Sequence, residues 1–290
     1  MFAEGDFITA LRGLASHPAA RGLQDDCAVL PFGGELLVLT HDTMVAGVHY
    51  LPDSDPADVA WKLVATNISD LAAKGAAPVG VLLSYQLTGG EERFLDGLRA
   101  ALEHYGAPLL GGDTVRAAAG QTLGLTALGR ATHTPVPARN GARAGDGVYL
   151  SGPVGGAMIG FEALQAGSAD AALTLPYRRP AARLEEGIAL APHVSAMMDV
   201  SDGLLLDAAR MAQASGVTLA LESAAVPLAA PEARRDDVLR WGDDYQLLFT
   251  APPAGPLPCP AFRIGTVMPV TAHPLLLDGA PPAGKLGYTH

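Results

Sequence analysis

Cysteine is nearly absent. Cys27 and Cys259 are the whole complement of 290 residues, far apart and outside any C-x-x-C spacing. That excludes a disulfide scaffold, a zinc ribbon and a dithiol redox motif, and it suits a reducing compartment. Basic residues are scarce too, with 19 Lys and Arg against 30 Asp and Glu and a net charge of −11. A surface of that sign repels phosphate backbones and anionic membranes, so neither nucleic acid nor membrane is an expected partner. No apolar run approaches the roughly 20 residues that span a bilayer. The opening stretch MFAEGDFITALRGLASH carries Glu4 and Asp6 where a secretory leader needs a basic stretch and then an apolar one. No leader is therefore expected, and the expected location is the cytoplasm. The common nucleotide-binding loops are missing as well. No G-x-G-x-x-G follows a strand, and no protein-kinase motif set is present. GAPPAGKL (279–286) has P-loop spacing up to its lysine, but it carries two prolines and lacks the Ser or Thr that must follow.

What is present is a 49% hydrophobic chain with 34 Gly and 23 Pro, the composition of a globular protein with small-residue helices and many short turns. Apolar spacing predicts a strand over 35–40 that ends at His41-Asp42. A helix follows over 56–74, where Ala60, Leu63, Val64, Asn67, Ile68 and Leu71 share one face and Gly75 is the stop. Further strands are expected at 79–87, 108–112 and 121–130, with a helix over 90–105. The Pro-, Gly-, Ala- and Arg-rich stretch 132–147 reads as a linker or long loop. A boundary near 138 gives domains 1–138 and 139–290. Beyond it, strands are expected at 147–151, 195–200, 217–222, 246–251 and 262–267, with helices at 155–166, 180–191 and 202–215. Strands and helices alternate through both halves, so the fold class is mixed α/β (α+β).

Six aspartates share a context. Asp26 lies in DDCAVL, Asp42 in THDT, Asp70 in NISD, Asp113 in GGDT, and Asp199 and Asp202 in DVSDG. Each sits beside an apolar run. A carboxylate there is costly unless something compensates its charge, and few of the chain's basic residues lie near. Bound Mg²⁺, which takes carboxylate and phosphate oxygens, resolves the conflict. Each aspartate also has a plain structural reading: Asp202 as a helix cap, Asp113 as a turn residue, Asp70 as the i,i+4 partner of Lys74. Six in one kind of context favour metal. Gly111-Gly112 lets backbone amides approach a ligand closely. Gly155-Gly156, heading a helix, can donate amides to phosphate or serve packing.

Taken in order, the motifs resemble the thiamine-monophosphate kinase family, within the superfamily of aminoimidazole ribonucleotide synthetase. The resemblance runs from about Gly22 to Tyr288. It rests on DDCAVL (25–30), THDTMVAGVHY (40–50), DPADVAWKLVATNISDLAAKGA (55–76), GGDT (111–114), RNGARAGDGVYLSG (139–152), RRPAAR (178–183), DVSDGLLLD (199–207) and WGDDYQLLFT (241–250). The segments 55–76 and DVSDG are the most specific. Selenophosphate synthetase relatives carry a reactive cysteine near the N-terminus, and none precedes Cys27.

The resemblance implies a two-domain fold whose N-terminal domains pair into a barrel across a homodimer, with ATP and several Mg²⁺ in the cleft between domains. It implies that Asp26, Thr40, His41, Asp42, Asp70, Asp113 and Asp199 surround Mg²⁺, with Asp202 on a further ion. Asp42, Asp70 and Asp113 would carry the catalysis. Gly112, Asp113, Arg139 and Ser201 would contact ATP. His49, Asp243 and Tyr288 would contact thiamine monophosphate. The implied reaction is transfer of the γ-phosphoryl group of ATP to that phosphate, giving thiamine diphosphate. The alternatives are a purine-synthesis-type ligase that activates an amide or carbonyl oxygen, and a non-catalytic nucleotide-binding protein. Three positions depart from the family pattern: Gln24 stands where Gly is usual, His41 where Thr or Ser is usual, and Asp243 where Glu is usual.

Overall fold

The computed structural model of the chain describes residues 4–116, 120–253 and 255–289. After an opening helix, α1 (Glu4–Arg12), the chain forms β1 (Ala28–Phe32) and β2 (Glu35–Val45). These two pair antiparallel through the loop Gly33-Gly34, whose φ values of 60° and 87° demand residues without a Cβ. Next come α2 (Pro56–Ala73), β3 (Ala76–Leu87), α3 (Glu91–Tyr105), β4 (Leu109–Arg116) and β5 (Thr122–Ala131). The five strands form one sheet in the order β1-β2-β5-β3-β4. Only β3 and β4 run parallel, and α3 is the crossover that such a pair needs.

The second half holds β6 (Gly147–Leu150), α4 (Gly156–Gln165), α5 (Ala171–Arg178), α6 (Leu184–Leu190), β7 (Ala196–Asp199), α7 (Leu204–Ser215), β8 (Thr218–Leu221), α8 (Arg235–Arg240), β9 (Leu247–Ala251), β10 (Phe262–Met268) and β11 (Leu275–Leu277). Its six strands form a second sheet in the order β11-β8-β10-β6-β9-β7. Each sheet has its own buried cluster, one around Val38, Leu63, Ile68 and Leu125, the other around Leu150, Leu204, Leu219 and Leu248. A third cluster joins Ala72 and Ala73 of α2 to Leu190, Met197, Leu247 and Phe249. Among the described residues no helix is long and apolar enough to cross a membrane.

Helix α2 holds the molecule together. Asp55 caps it by accepting from the Ala57 N–H at 2.9 Å, and Pro56 takes the first turn, where no N–H is needed. It is buried along nearly its whole length, between the first sheet, α3 and the second sheet. A helix in that position should be apolar all round, so the buried Lys62, Asn67, Ser69 and Lys74 and the half-buried Asp70 need partners.

The structure departs from the sequence reading in several places. β2 continues to Val45, so Asp42 lies within a strand and not at its end. β4 runs through to Arg116 and carries Asp113 in its middle. Edge pairing and a cleft-facing position let both strands continue past their carboxylates. The helix expected over 180–191 begins only at Leu184, because Pro180 starts a short non-helical stretch over 180–183 that separates it from the helix before. α5 is an unexpected helix, capped by Asp170 accepting from the amides of Ala172 and Leu173. α1, α8, β1 and β11 are also additions.

Close approach of α2 and α3 generates a test. A Cβ on Gly97 would lie 2.1 Å from the Ala57 carbonyl oxygen, whereas one on Gly5 in α1 meets nothing within 4 Å. Gly97→Ala is expected to destabilise the protein by about 1–3 kcal/mol in urea unfolding. Gly5→Ala should be neutral or stabilise by up to about 1 kcal/mol, the helix propensity gained.

Candidate active site

Three carboxylates meet where the two halves touch. Asp26 arrives from the segment before β1, Asp70 from α2 and Asp199 from the end of β7, and each offers an oxygen within 4.8 Å of the others. Thr40 Oγ1 donates to Asp70 Oδ2, and Ser69 Oγ donates to Asp199 Oδ2 at 2.6 Å. Asp42 comes in from β2, its backbone N–H held by Asn67 Oδ1 at 3.1 Å. Among the described residues, Asp42, Asp70 and Asp199 have no Lys or Arg ion-pair partner. Burial lifts the Asp42 carboxyl above its ordinary value. Burial, together with the charges of Asp42 and Asp199, lifts Asp70 well above it. Burial pushes Asp199 up to about 8, helped by the Asp26 charge.

Asp26 behaves differently. Burial pushes its carboxyl up, but the charges of Arg139 and Lys74 outweigh that and hold it down at about 2. Arg139 bonds Oδ1, while Lys74 Nζ lies 2.6 Å from Oδ2. Asp26 Oδ2 is thus buried against an ammonium, and both oxygens of this carboxylate face cations of the chain. The donor set of Asp26, Asp70 and Asp199 is all hard oxygen, and it fits Mg²⁺ rather than a soft metal.

The carboxylates face a cleft of about 540 Å³. Along α2, Lys62, Thr66 and Asp70 line it at four-residue spacing, one face of the helix. His49, Ser201, Asp202, Asp243 and Tyr288 line it from the loops. The loops are stitched together through backbone: Asp243 N–H donates to Ser201 O (2.8 Å), Tyr245 N–H to Val200 O (2.9 Å) and Tyr288 N–H to Asp202 O (2.8 Å). A Cβ on Gly242 would sit 2.1 Å from Ser201 O, so only glycine permits this approach. Asp243 (φ 66°) and Tyr245 (φ 51°) are both left-handed, the kind of backbone strain that gathers at functional sites. His49 Nδ1 accepts from the Val45 N–H at 2.9 Å, which fixes the orientation of the ring at the cleft.

Sequence-predicted residues therefore divide into groups. Asp26, Thr40, Asp42, Asp70, Asp199, Ser201, Asp202, His49, Asp243 and Tyr288 converge on the cluster or its cleft. Asp202 is engaged by Arg210, and Arg139 by Asp26. The His41 ring is on the opposite face of β2 from Thr40 and Asp42, by strand alternation. Its Nδ1 lies 2.9 Å from Thr126 Oγ1, so only its main-chain carbonyl is left for a metal. Gly112 and Asp113 sit on the exposed edge strand β4. Three strand spacings, about 14 Å, separate that strand from β2. Gly155-Gly156 is no free phosphate cradle, because Asp244 accepts from Gly155 N–H (2.7 Å) and Ala157 N–H (3.3 Å). Burial pushes the Asp244 carboxyl up to about 7. Lys74 does not pair with Asp70 but with Asp25 and Asp26.

Sequence reasoning missed Lys62. Only 2% exposed, its ammonium donates to Asp243 Oδ2 (2.7 Å) and His49 O (3.0 Å) and lies 4.0 Å from the centre of the Tyr177 ring. A charged residue inside an otherwise apolar helical run was the signal available. Phe161, Tyr177 and Trp241, which add an aromatic wall to the cleft, carried no such signal.

Comparison with known proteins places this geometry. Residues 24–131 match the AIR synthase related protein N-terminal domain, and residues 143–256 match the corresponding C-terminal domain. A thiamine-monophosphate kinase of Salmonella typhimurium is 38% identical over 254 residues, covering 80% of this chain and 76% of that protein. Among solved structures, AaThiL complexed with AMPPCP and TMP superposes with a TM-score of 0.89 at 29% identity, covering 99% of this chain and 97% of that one. Thiamine-monophosphate kinase from Stenotrophomonas maltophilia K279a gives 0.78 at 33% identity, with 97% of both chains covered.

The raised carboxyls set a pH dependence. Asp42, Asp70 and Asp199 bind protons more tightly folded than unfolded, so their contribution to stability is full at low pH. It is lost as pH rises from the ordinary carboxylate range, about 4, to about 8 for Asp199. In chelator, Tm is expected to fall between pH 6 and pH 8.5, and to fall less in Asp199→Asn. A thermal melt series checks this, and a rising Tm would contradict it.

Proposed function

The chain belongs to the thiamine-monophosphate kinase family, and from that premise we infer that it transfers the γ-phosphoryl group of ATP to thiamine monophosphate, forming thiamine diphosphate. One observation carries the reading: a cluster of under-compensated carboxylates opens onto a cleft lined by the three residues expected to contact the substrate, His49, Asp243 and Tyr288.

Both reactants are anions, so the obstacles are repulsion and alignment. Mg²⁺ held by Asp26, Asp42, Asp70 and Asp199, with Asp202 on a further ion, supplies neutralisation of the phosphate oxygens when bound. The chain's own residues do the rest. Thr40 and Ser69 fix the carboxylates of Asp70 and Asp199 by hydrogen bonds, so their oxygens are aimed before any ligand arrives. Lys62 and the Tyr245 hydroxyl, 3.0 Å from Asp243 Oδ1, hold the shorter Asp243 carboxylate in place. Phe161, Tyr177, Trp241 and Tyr288 offer flat apolar faces to the substrate's rings. Arg240 and Lys285 add positive charge to the same cleft. The acceptor phosphate is already ionised, so no general base is required, and His49 is a polar contact for the substrate at the cleft wall. Arg139 and Ser201 take the ATP side. The two-domain division is 1–138 and 139–290, supported by the two sheets with separate buried clusters. The composition supports a cytoplasmic location.

The functional unit in this reading is a homodimer. β4 is an unpaired edge strand, and Leu109, Leu110 and Val115 on it and Leu82 on β3 are exposed. An edge of that kind calls for cover. Its distance from β2 puts Gly112 and Asp113 out of reach of their own cluster, so in the dimer they serve the partner's site, where they meet ATP.

With Mg²⁺, ATP and thiamine monophosphate, the protein is expected to form thiamine diphosphate, followed by thiochrome fluorescence after separation. Asp42→Asn should lose more than the roughly 100-fold that loss of an outer-shell partner costs. Asp113→Asn, also inactive alone, should regain activity when mixed and refolded with Asp42→Asn, because one site of the mixed dimer carries neither change. Without product the assigned reaction fails. Without complementation the shared site fails.

A further inference from the structure

The least expected charge in the interior is Lys74. It is 1% exposed, at the C-terminal end of α2, and its helical neighbour Asp70 is not its partner. Nζ instead donates to Asp25 Oδ1 and to the Met197 carbonyl (3.1 Å), and lies 2.6 Å from Asp26 Oδ2. The outer oxygens of the same two carboxylates are held by Arg21, on Asp25 Oδ2, and by Arg139, on Asp26 Oδ1. Charge is thus distributed unevenly. The Asp25–Asp26 corner has three cations of the chain's own, while among the described residues Asp42, Asp70 and Asp199 pair with no lysine or arginine.

We propose that the Lys74 ammonium takes the place of a divalent cation between Asp25 and Asp26, and so limits how many metal ions this chain binds. It sits where a cation bridging adjacent carboxylates would sit, between an oxygen of each. Nζ is in ion-pair range of both carboxylates at once, 2.5 Å from Asp25 Oδ1 and 2.6 Å from Asp26 Oδ2, and both pairs are buried. With three positive charges at that corner, a divalent ion is repelled from the Asp25 side and drawn to Asp70, Asp199 and Asp42. The proposal rests on the reading of those carboxylates as a divalent-metal site.

The test uses Mn²⁺ as the probe on the metal-free full chain without nucleotide, with free Mn²⁺ counted by electron paramagnetic resonance. The comparison is wild type against Lys74→Met, which keeps the side chain's length and flexibility without its charge. The expected result is one additional Mn²⁺ per chain in Lys74→Met, and a larger rise of Tm on adding Mn²⁺ than in wild type. Adding Asp25→Asn to Lys74→Met should remove that extra ion. If Lys74→Met binds the same number of ions as wild type with the same affinity, Lys74 is a structural tether and the proposal is overturned. If Lys74→Met does not fold in chelator, its circular dichroism is titrated with Mn²⁺. Recovery of the native signal supports the proposal, and failure to recover overturns it. Absence of Mn²⁺ binding in wild type and variant alike overturns the proposal together with the metal-site reading, whereas binding by wild type with an unchanged variant overturns the proposal alone.

Discussion

Everything at the centre of this molecule depends on holding buried carboxylates close together without enough positive charge to balance them. Asp26, Asp70 and Asp199 come from three distant parts of the chain and approach within 4.8 Å. Folding can tolerate that because α2 is clamped on every side. Its cap fixes one end. The Gly97 contact fixes its flank, and a Cβ on Gly187 in α6 would lie 2.1 Å from the Ala72 carbonyl near its other end. A helix packed that tightly cannot rotate to relieve Asp70. Burial therefore raises the proton affinity of Asp42, Asp70 and Asp199, whereas Asp26, beside Arg139 and Lys74, is held low.

The same helix connects metal chemistry to substrate recognition. Lys62 lies two turns before Asp70 on the same face and ties the carboxylate of Asp243, from the second half, to the His49 carbonyl in the first. The Val200–Asp202 segment does the equivalent with backbone, binding the segments of Asp243, Tyr245 and Tyr288 by three hydrogen bonds. Residues that would touch different parts of the two substrates are thereby fixed relative to one another. Phosphoryl transfer between two anions requires that alignment more than it requires an acid or base.

Much of the site was legible in the sequence because a carboxylate amid apolar residues is conspicuous. Asp42, Asp70 and Asp199 stand out for that reason, and the ordered motifs carried Asp243 and Tyr288 with them. The direction of His41 was not legible, because the strand was expected to end there and its alternation applies only once β2 is seen to continue to Val45. Other features had no local signature. Lys74 has Asp70 four residues before it, and nothing in the sequence says that it turns instead to Asp25 and Asp26, far back in the chain. Asp113 reads as one more member of the set, yet the strand order places β5 and β3 between it and Asp42. Gly155-Gly156 reads as a phosphate cradle until Asp244, far along the chain, is found occupying it. In each case the choice among partners was made by tertiary packing.

Proton release on metal binding tests the central claim most directly. Mg²⁺ binding to the metal-free protein is measured by calorimetry at pH 7 in buffers of different ionisation enthalpy. If the carboxylates are held together protonated and await cations, binding releases protons, and the observed heat changes with the buffer. Heat that is independent of buffer would mean the cluster is already ionised without metal, which contradicts the account.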